Sequence, residues 1–177
     1  MEGERPDGRR YVLIAAPHTS NWDMPAMLAM AFVHDVRVRW MGKHTLFEGV
    51  FGGTLKWLGG MPIVRHRAGG IVDQMVTRFA EETELELLVP AEGTRSYVEY
   101  WKSGFYHIAN KANVPVCLSY LDFGTKRTGF GPLIHLTGDV RADMDRIREF
   151  YGGMRGLHEG NVGRIRLREE DVDQAAE

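Results

Sequence analysis

Short apolar runs alternate with helically spaced stretches along the whole chain. Tyr11–Ala16 is apolar throughout and fits a buried strand that ends at Pro17 and a polar loop. Asn21 is suited to cap a helix from Trp22 to His34, with Asp23 in its first turn and Pro25 early enough to be tolerated. Val36–Met41 reads as a second strand and Met61–Val64 as a third, with a glycine-interrupted amphipathic stretch, Gly49–Leu58, between them. Ile71–Glu82 has helical spacing, and Leu85–Val89 is a strand that stops at Pro90 before the loop Ala91-Glu-Gly-Thr-Arg95. Lys102–Asn113 reads as a helix, Val114–Asp122 and Leu133–Leu136 as strands, and Asp143–Tyr151 as a helix ended by two glycines. Strands alternating with helices predict one α/β domain around one sheet, over residues 11–163. A polar extension, 1–10, precedes it, and a charged, fraying tail, 164–177, follows it. In such folds sites gather in loops beyond the strand ends.

Composition narrows the function. A chain of 177 residues can bury a full core without staples. Its net charge of −2 gives no reason to expect nucleic acid, so any basic site is local. A single cysteine, Cys117, forms no internal disulfide, and the start of the chain carries no apolar leader, which together predict the cytoplasm. Met24–Val33 is apolar for ten residues, well short of the roughly 20 that span a bilayer, so membrane attachment is expected to be peripheral. The histidines never pair at close metal spacing, so neither a metal nor a cofactor is expected.

Two loops carry candidate chemistry. His18-Thr-Ser-Asn-Trp-Asp23 sets an imidazole five positions before a carboxylate at a helix entry. A histidine oriented by a carboxylate is a general base for an external hydroxyl; the same spacing also fits a loop histidine beside a helix-capping aspartate. Glu92-Gly-Thr-Arg95 presents a carboxylate, a flexible backbone, a hydroxyl and a guanidinium together at a strand end. Arg95 there suits a phosphate held by two parallel hydrogen bonds, and Gly93 permits close backbone approach; an ordinary tight turn is the alternative. Lys43 and Arg65, followed by His66 and Arg67, add local positive charge.

The order His18-x-x-x-x-Asp23, Lys43 with Phe51-Gly52 and Leu58-Gly-Gly-Met-Pro-Ile-Val-Arg65, Glu92-Gly-Thr-Arg95 and Val114-Pro115 resembles the glycerolipid acyltransferases typified by 1-acylglycerol-3-phosphate acyltransferase. The resemblance spans residues 11 to 122 and includes the pattern Lys102-Ser-Gly104. It implies a mixed sheet flanked by helices and an O-acyltransferase of phospholipid synthesis, with His18 as base and Asp23 orienting it. Arg65, Glu92, Gly93 and Arg95 would contact a glycerol-phosphate or lysophospholipid acceptor, and Thr94 completes that loop. Pro115 belongs to a block linked to the acyl donor, which would be acyl-CoA or acyl carrier protein. The first block departs from the family in carrying Thr-Ser-Asn-Trp between His18 and Asp23, which puts the acceptor's identity in question. Apolar N-terminal helices that many members use on a bilayer are not found, so contact with the inner membrane surface is expected from the folded domain itself; Val50–Leu58, aromatic and lysine-bearing, suits it, and a core helix is the alternative reading of that segment. A thioesterase, with water as acceptor, and a non-catalytic lipid-binding protein are the rival readings.

Overall fold

A computed structural model describes residues 6–64 and 70–172. Six strands form one sheet in the order β3-β2-β4-β1-β5-β6: β1 Arg10–Ala16, β2 Val38–Lys43, β3 Gly60–Ile63, β4 Leu85–Pro90, β5 Val116–Asp122 and β6 Arg127–Ile134. The first five are mutually parallel, and β6 closes the edge antiparallel to β5. The sheet is therefore mixed and flanked by helices, as expected: α1 Asp23–Val33, α2 Gly52–Trp57, α3 Gly70–Glu81, α4 Gly104–Ala112, α5 Val140–Tyr151 and the short α6 Glu169–Val172.

Parallel strands are covered on both faces, which is why β1 and β4 read as unbroken apolar runs. Alternate residues feed two cores. Val12, Ile14, Leu87 and Val89 pack with Phe79, Phe105, Ile108 and Ile147 from α3, α4 and α5. Tyr11, Leu13 and Leu88 face the opposite way and pack with Met27 and Met30 of α1.

Three expectations are corrected. Strand β6 begins six residues before Leu133, because Gly129, Gly131 and Pro132 mask it while antiparallel pairing with β5 holds it; an edge position tolerates the proline. Helix α5 begins at Val140, where Asp139 caps it by accepting from the Ala142 amide at 3.0 Å. Residues 165–171 are packed: Leu167 is fully buried, the Arg166 carbonyl accepts from the Trp101 amide at 2.8 Å, and Arg148 pairs with Glu170 at 2.8 Å.

Candidate active site

Strands β1 and β4 are parallel neighbours with Ala15 opposite Pro90, so the loops that follow them leave the same end of the sheet side by side. This brings His18 and Glu92 together across the fold. The Asp23 carboxylate gathers the first loop around itself. Its Oδ2 accepts from the amides of Thr19 and Ser20, both at 2.8 Å, and lies 3.0 Å from His18 Nδ1. Asp23 thus fixes loop and imidazole at once. Helix α1 has no side-chain cap, which corrects the assignment to Asn21: Trp22 stands at the cap, and Asn21 Oδ1 instead accepts from Arg95.

Burial pushes the Asp23 pKa up, but the hydrogen bonds from His18, Ser20 and Thr19 outweigh it and hold the carboxyl below its ordinary range. An ionised carboxylate only accepts, so Nδ1 donates to it, and in the neutral imidazole Nε2 is left with the lone pair. The side chain of His18 is 24 % exposed, whereas that of Asp23 is 3 % exposed. The imidazole therefore meets the solvent side and the carboxylate that holds it does not.

Glu92 is almost fully buried, and its Oε1 accepts from the His18 amide at 3.0 Å. Burial raises its pKa, more than the bonds from the His18 and Glu92 backbones lower it. Its other oxygen, Oε2, has no hydrogen-bond partner among the described residues. Glu92 faces the backbone of the histidine loop and not open solvent. Gly93 sits at φ +68°, where a side chain would be strained, and a Cβ there would come within 2.8 Å of Lys102 Cγ. Thr94 is exposed and caps the turn through the Ser96 amide. Arg95 is exposed and tied to Asn21, so its guanidinium links the two loops.

A cavity of about 680 Å³ opens at this end of the sheet with His18 and Asp23 in its lining. Its walls are mostly apolar, including Met24, Met27, Trp40, Ile63 and Ile108. The size falls in the ordinary range for small-molecule sites. Among the described residues Lys102 is the one cation in that lining, a placement the sequence alone did not show, although the Lys102-Ser-Gly104 pattern was its available signal. Lys43 ends β2 at the same sheet end but does not line the cavity. Arg65 lies outside the described residues. Pro115 stands beside Val12 near the far end of β1, whose amide its carbonyl receives at 3.0 Å, and so sits roughly 13 Å of strand away from Ala16, where β1 ends before the His18 loop. No cluster of metal-ligating side chains occurs among the described residues.

The fold and this pair define an α/β domain whose strand ends hold a carboxylate-oriented histidine beside an apolar cavity. The chain belongs to the Acyltransferase family, whose model matches residues 2–118. Its fold is similar to the crystal structure of the 1-acyl-sn-glycerophosphate (LPA) acyltransferase PlsC from Thermotoga maritima, at a TM-score of 0.55 and 18% identity over 82% of this chain. The match covers 64% of that enzyme's length. Comparison with curated proteins gives no match.

Proposed function

We propose that the chain transfers a fatty acyl group from a thioester, acyl-CoA or acyl carrier protein, to a hydroxyl of a glycerol-phosphate-type acceptor such as lysophosphatidic acid. The reaction would serve phospholipid synthesis at the surface of a membrane. The observation that carries this reading is the 3.0 Å contact between His18 Nδ1 and Asp23 Oδ2 in the wall of an apolar cavity. His18 Nε2 takes the acceptor's hydroxyl proton as that oxygen attacks the thioester carbonyl. The tetrahedral oxyanion collapses, the carbon–sulfur bond breaks, and the departing thiolate recovers the proton from His18. An ester and a free thiol result, and the acceptor supplies the nucleophile that a hydrolase would draw from water. Arg95, Lys43 and Arg65 supply charge for the acceptor's phosphate, and Gly93 with Thr94 shapes the loop between.

The test is thiol release from acyl-CoA with and without lysophosphatidic acid, glycerol 3-phosphate and their dephosphorylated counterparts, with the lipid product identified. Acceptor-dependent ester formation is expected. Thiol release that no acceptor stimulates would point to a thioesterase, and binding without turnover to a lipid carrier.

A further inference from the structure

We infer that the outer face of α1, together with the neighbouring end of α2, docks onto a bilayer bearing anionic lipids, so that the helix opened by Asp23 lies along the membrane surface. The inference rests on the reading that the acceptor is a lipid, and it goes beyond it by assigning the surface that meets the membrane.

Helix α1 is unusual in having no polar side. From Met24 to Val33 it carries no charged residue. A surface helix normally sets polar groups opposite its buried stripe, and one that is apolar all round has a second apolar neighbour. Met27, Met30 and Ala31 face the core, yet Met24, Pro25, Ala29, Phe32 and Val33 are exposed, Phe32 to 88 %. Its eleven residues extend about 16 Å, the length of a helix lying in an interface and not of one crossing it.

The patch continues past the helix. A groove of about 640 Å³ is lined by Leu28 and Phe32 of α1 and by Trp57 and Leu58 at the end of α2, joining the two elements into one face. Trp57 is 83 % exposed, and at the other end of α2 Val50 and Phe51 are 98 % and 74 % exposed. Four cations, Arg37, Arg39, Lys56 and Arg78, also line the groove, and among the described residues no carboxylate does. Arg39 and Arg78 share Glu82, at 3.9 and 3.0 Å, while Arg37 and Lys56 have no ion pair among the described residues. Of the nearby acids, Asp35 is engaged by Arg9 at 3.1 Å.

This combination selects the occupant. An apolar face alone would serve a second copy of the chain, but two copies would also bring the unpaired cations together. Anionic headgroups neutralise them, at a gain of about tenfold or less per cation near the surface. Tryptophans at both margins, Trp22 at 69 % exposure and Trp57, suit the headgroup level. Met24 belongs both to the exposed face and to the lining of the cavity that holds His18, so the docked face runs into that cavity.

The experiment is vesicle flotation with phosphatidylcholine alone and with added phosphatidylglycerol, for the parent, Phe32→Glu/Trp57→Glu and Arg37→Glu/Lys56→Glu. The parent is expected to float, more strongly on the anionic vesicles and less in high salt. Phe32→Glu/Trp57→Glu should lower partitioning by about a hundredfold on both vesicles, since each aromatic insertion is worth roughly tenfold or more. Arg37→Glu/Lys56→Glu should erase the preference for anionic lipid. All four positions are exposed, and circular dichroism checks that the folds match. A parent that stays unbound at low salt, floats equally well with either pair changed, or forms concentration-dependent dimers lost in Phe32→Glu/Trp57→Glu overturns the inference. Transfer to a monomeric, water-soluble short-chain acceptor separates the two readings: it should survive in Phe32→Glu/Trp57→Glu. Its absence in a parent that still floats sinks the proposed activity and leaves the docking face standing.

Discussion

Replacing Asp23 with asparagine changes one atom type at the most connected point of the site. The amide oxygen can still accept from the Thr19 and Ser20 amides, now at 2.8 Å, so the loop is expected to keep its path. In the proposed mechanism, what is lost is the charge that pairs with His18 once the imidazole has taken the acceptor's proton. At an effective dielectric of about 20, unit charges 3.0 Å apart are worth roughly 5 kcal/mol, and partial solvent contact at His18 reduces that to about 3–5 kcal/mol. Asparagine also leaves the histidine tautomer unfixed. A loss in kcat of about 10²–10⁴ is therefore expected, with KM little changed, because the charge matters only as the proton moves. Stability should respond with a definite sign. The folded pKa of Asp23 is depressed, so its contribution is present above the unfolded value of 3.8 and is lost as pH falls through the folded value. Asp23→Asn should cost about 1–3 kcal/mol at neutral pH, and the gap to the parent should close in acid. Thiol release can be followed with a chromogenic disulfide, since Cys117 is buried and its pKa is pushed up to about 12 by burial and by Glu86. A kcat within threefold of the parent, in protein with unchanged circular dichroism, would refute the assignment of His18 as the oriented base.

Glu92→Gln keeps an acceptor for the His18 amide and is expected to retain activity within about threefold, whereas Glu92→Ala should lose about ten- to a hundredfold in kcat. The raised pKa of Glu92 means that the parent loses stability as pH rises from 4.5 through the folded value, so melting temperature against pH should be flatter for Glu92→Gln. Arg95→Ala should lower kcat/KM about ten- to a hundredfold for a phosphorylated acceptor and far less for its dephosphorylated form. An equal loss on both would mean that Arg95 works through Asn21, and would move the phosphate contact to Lys102. Gly156→Ala, whose Cβ would meet Thr19 at 2.6 Å, should cost about 1–3 kcal/mol in denaturant melts and slow turnover by disturbing the histidine loop.

Much of this was legible in the chain. Unbroken apolar runs at β1 and β4 specify parallel strands because those strands are buried on both faces, and the polar loops after them specify where a site can form. The five-residue spacing from His18 to Asp23 also carried over into a contact. Pairings across the sheet were not legible. Nothing local says that Glu92 reaches back 74 positions to the His18 amide, or that Arg95 spends its guanidinium on Asn21. Local rules also favoured Asn21 as a cap, whereas the tertiary need to anchor His18 drew Asp23 onto the Thr19 and Ser20 amides. Strand β6 escaped because glycine and proline dilute its propensity, and its pairing with β5 overrides that. Residues 165–171 read as a charged tail since Leu167, their fully buried apolar side chain, is flanked by arginines, and Glu169, Glu170 and Asp171 have partners that lie far away in the chain.

Helix α1 links the His18 loop to the proposed docking face, and its composition makes the link measurable. Eleven residues are too few for a stable helix in water, where isolated helices shorter than about 12–15 residues are marginal. It lacks a side-chain cap and, between Met24 and Val33, any ion pair along its length. Its order therefore comes from packing, which inside the protein means chiefly Met27, Met30 and Ala31. A bilayer against Phe32, Val33 and Ala29 would supply the second packed side and remove the fraying that an uncovered face permits. Hydrogen exchange at the α1 amides is expected to slow by at least about tenfold when the parent is bound to phosphatidylglycerol vesicles. Exchange in β5, buried in either state, should stay constant. The Phe32→Glu/Trp57→Glu protein should show no slowing at the same lipid concentration. Equal α1 exchange with and without vesicles, under conditions where the parent floats, would mean that the membrane is met by some other face.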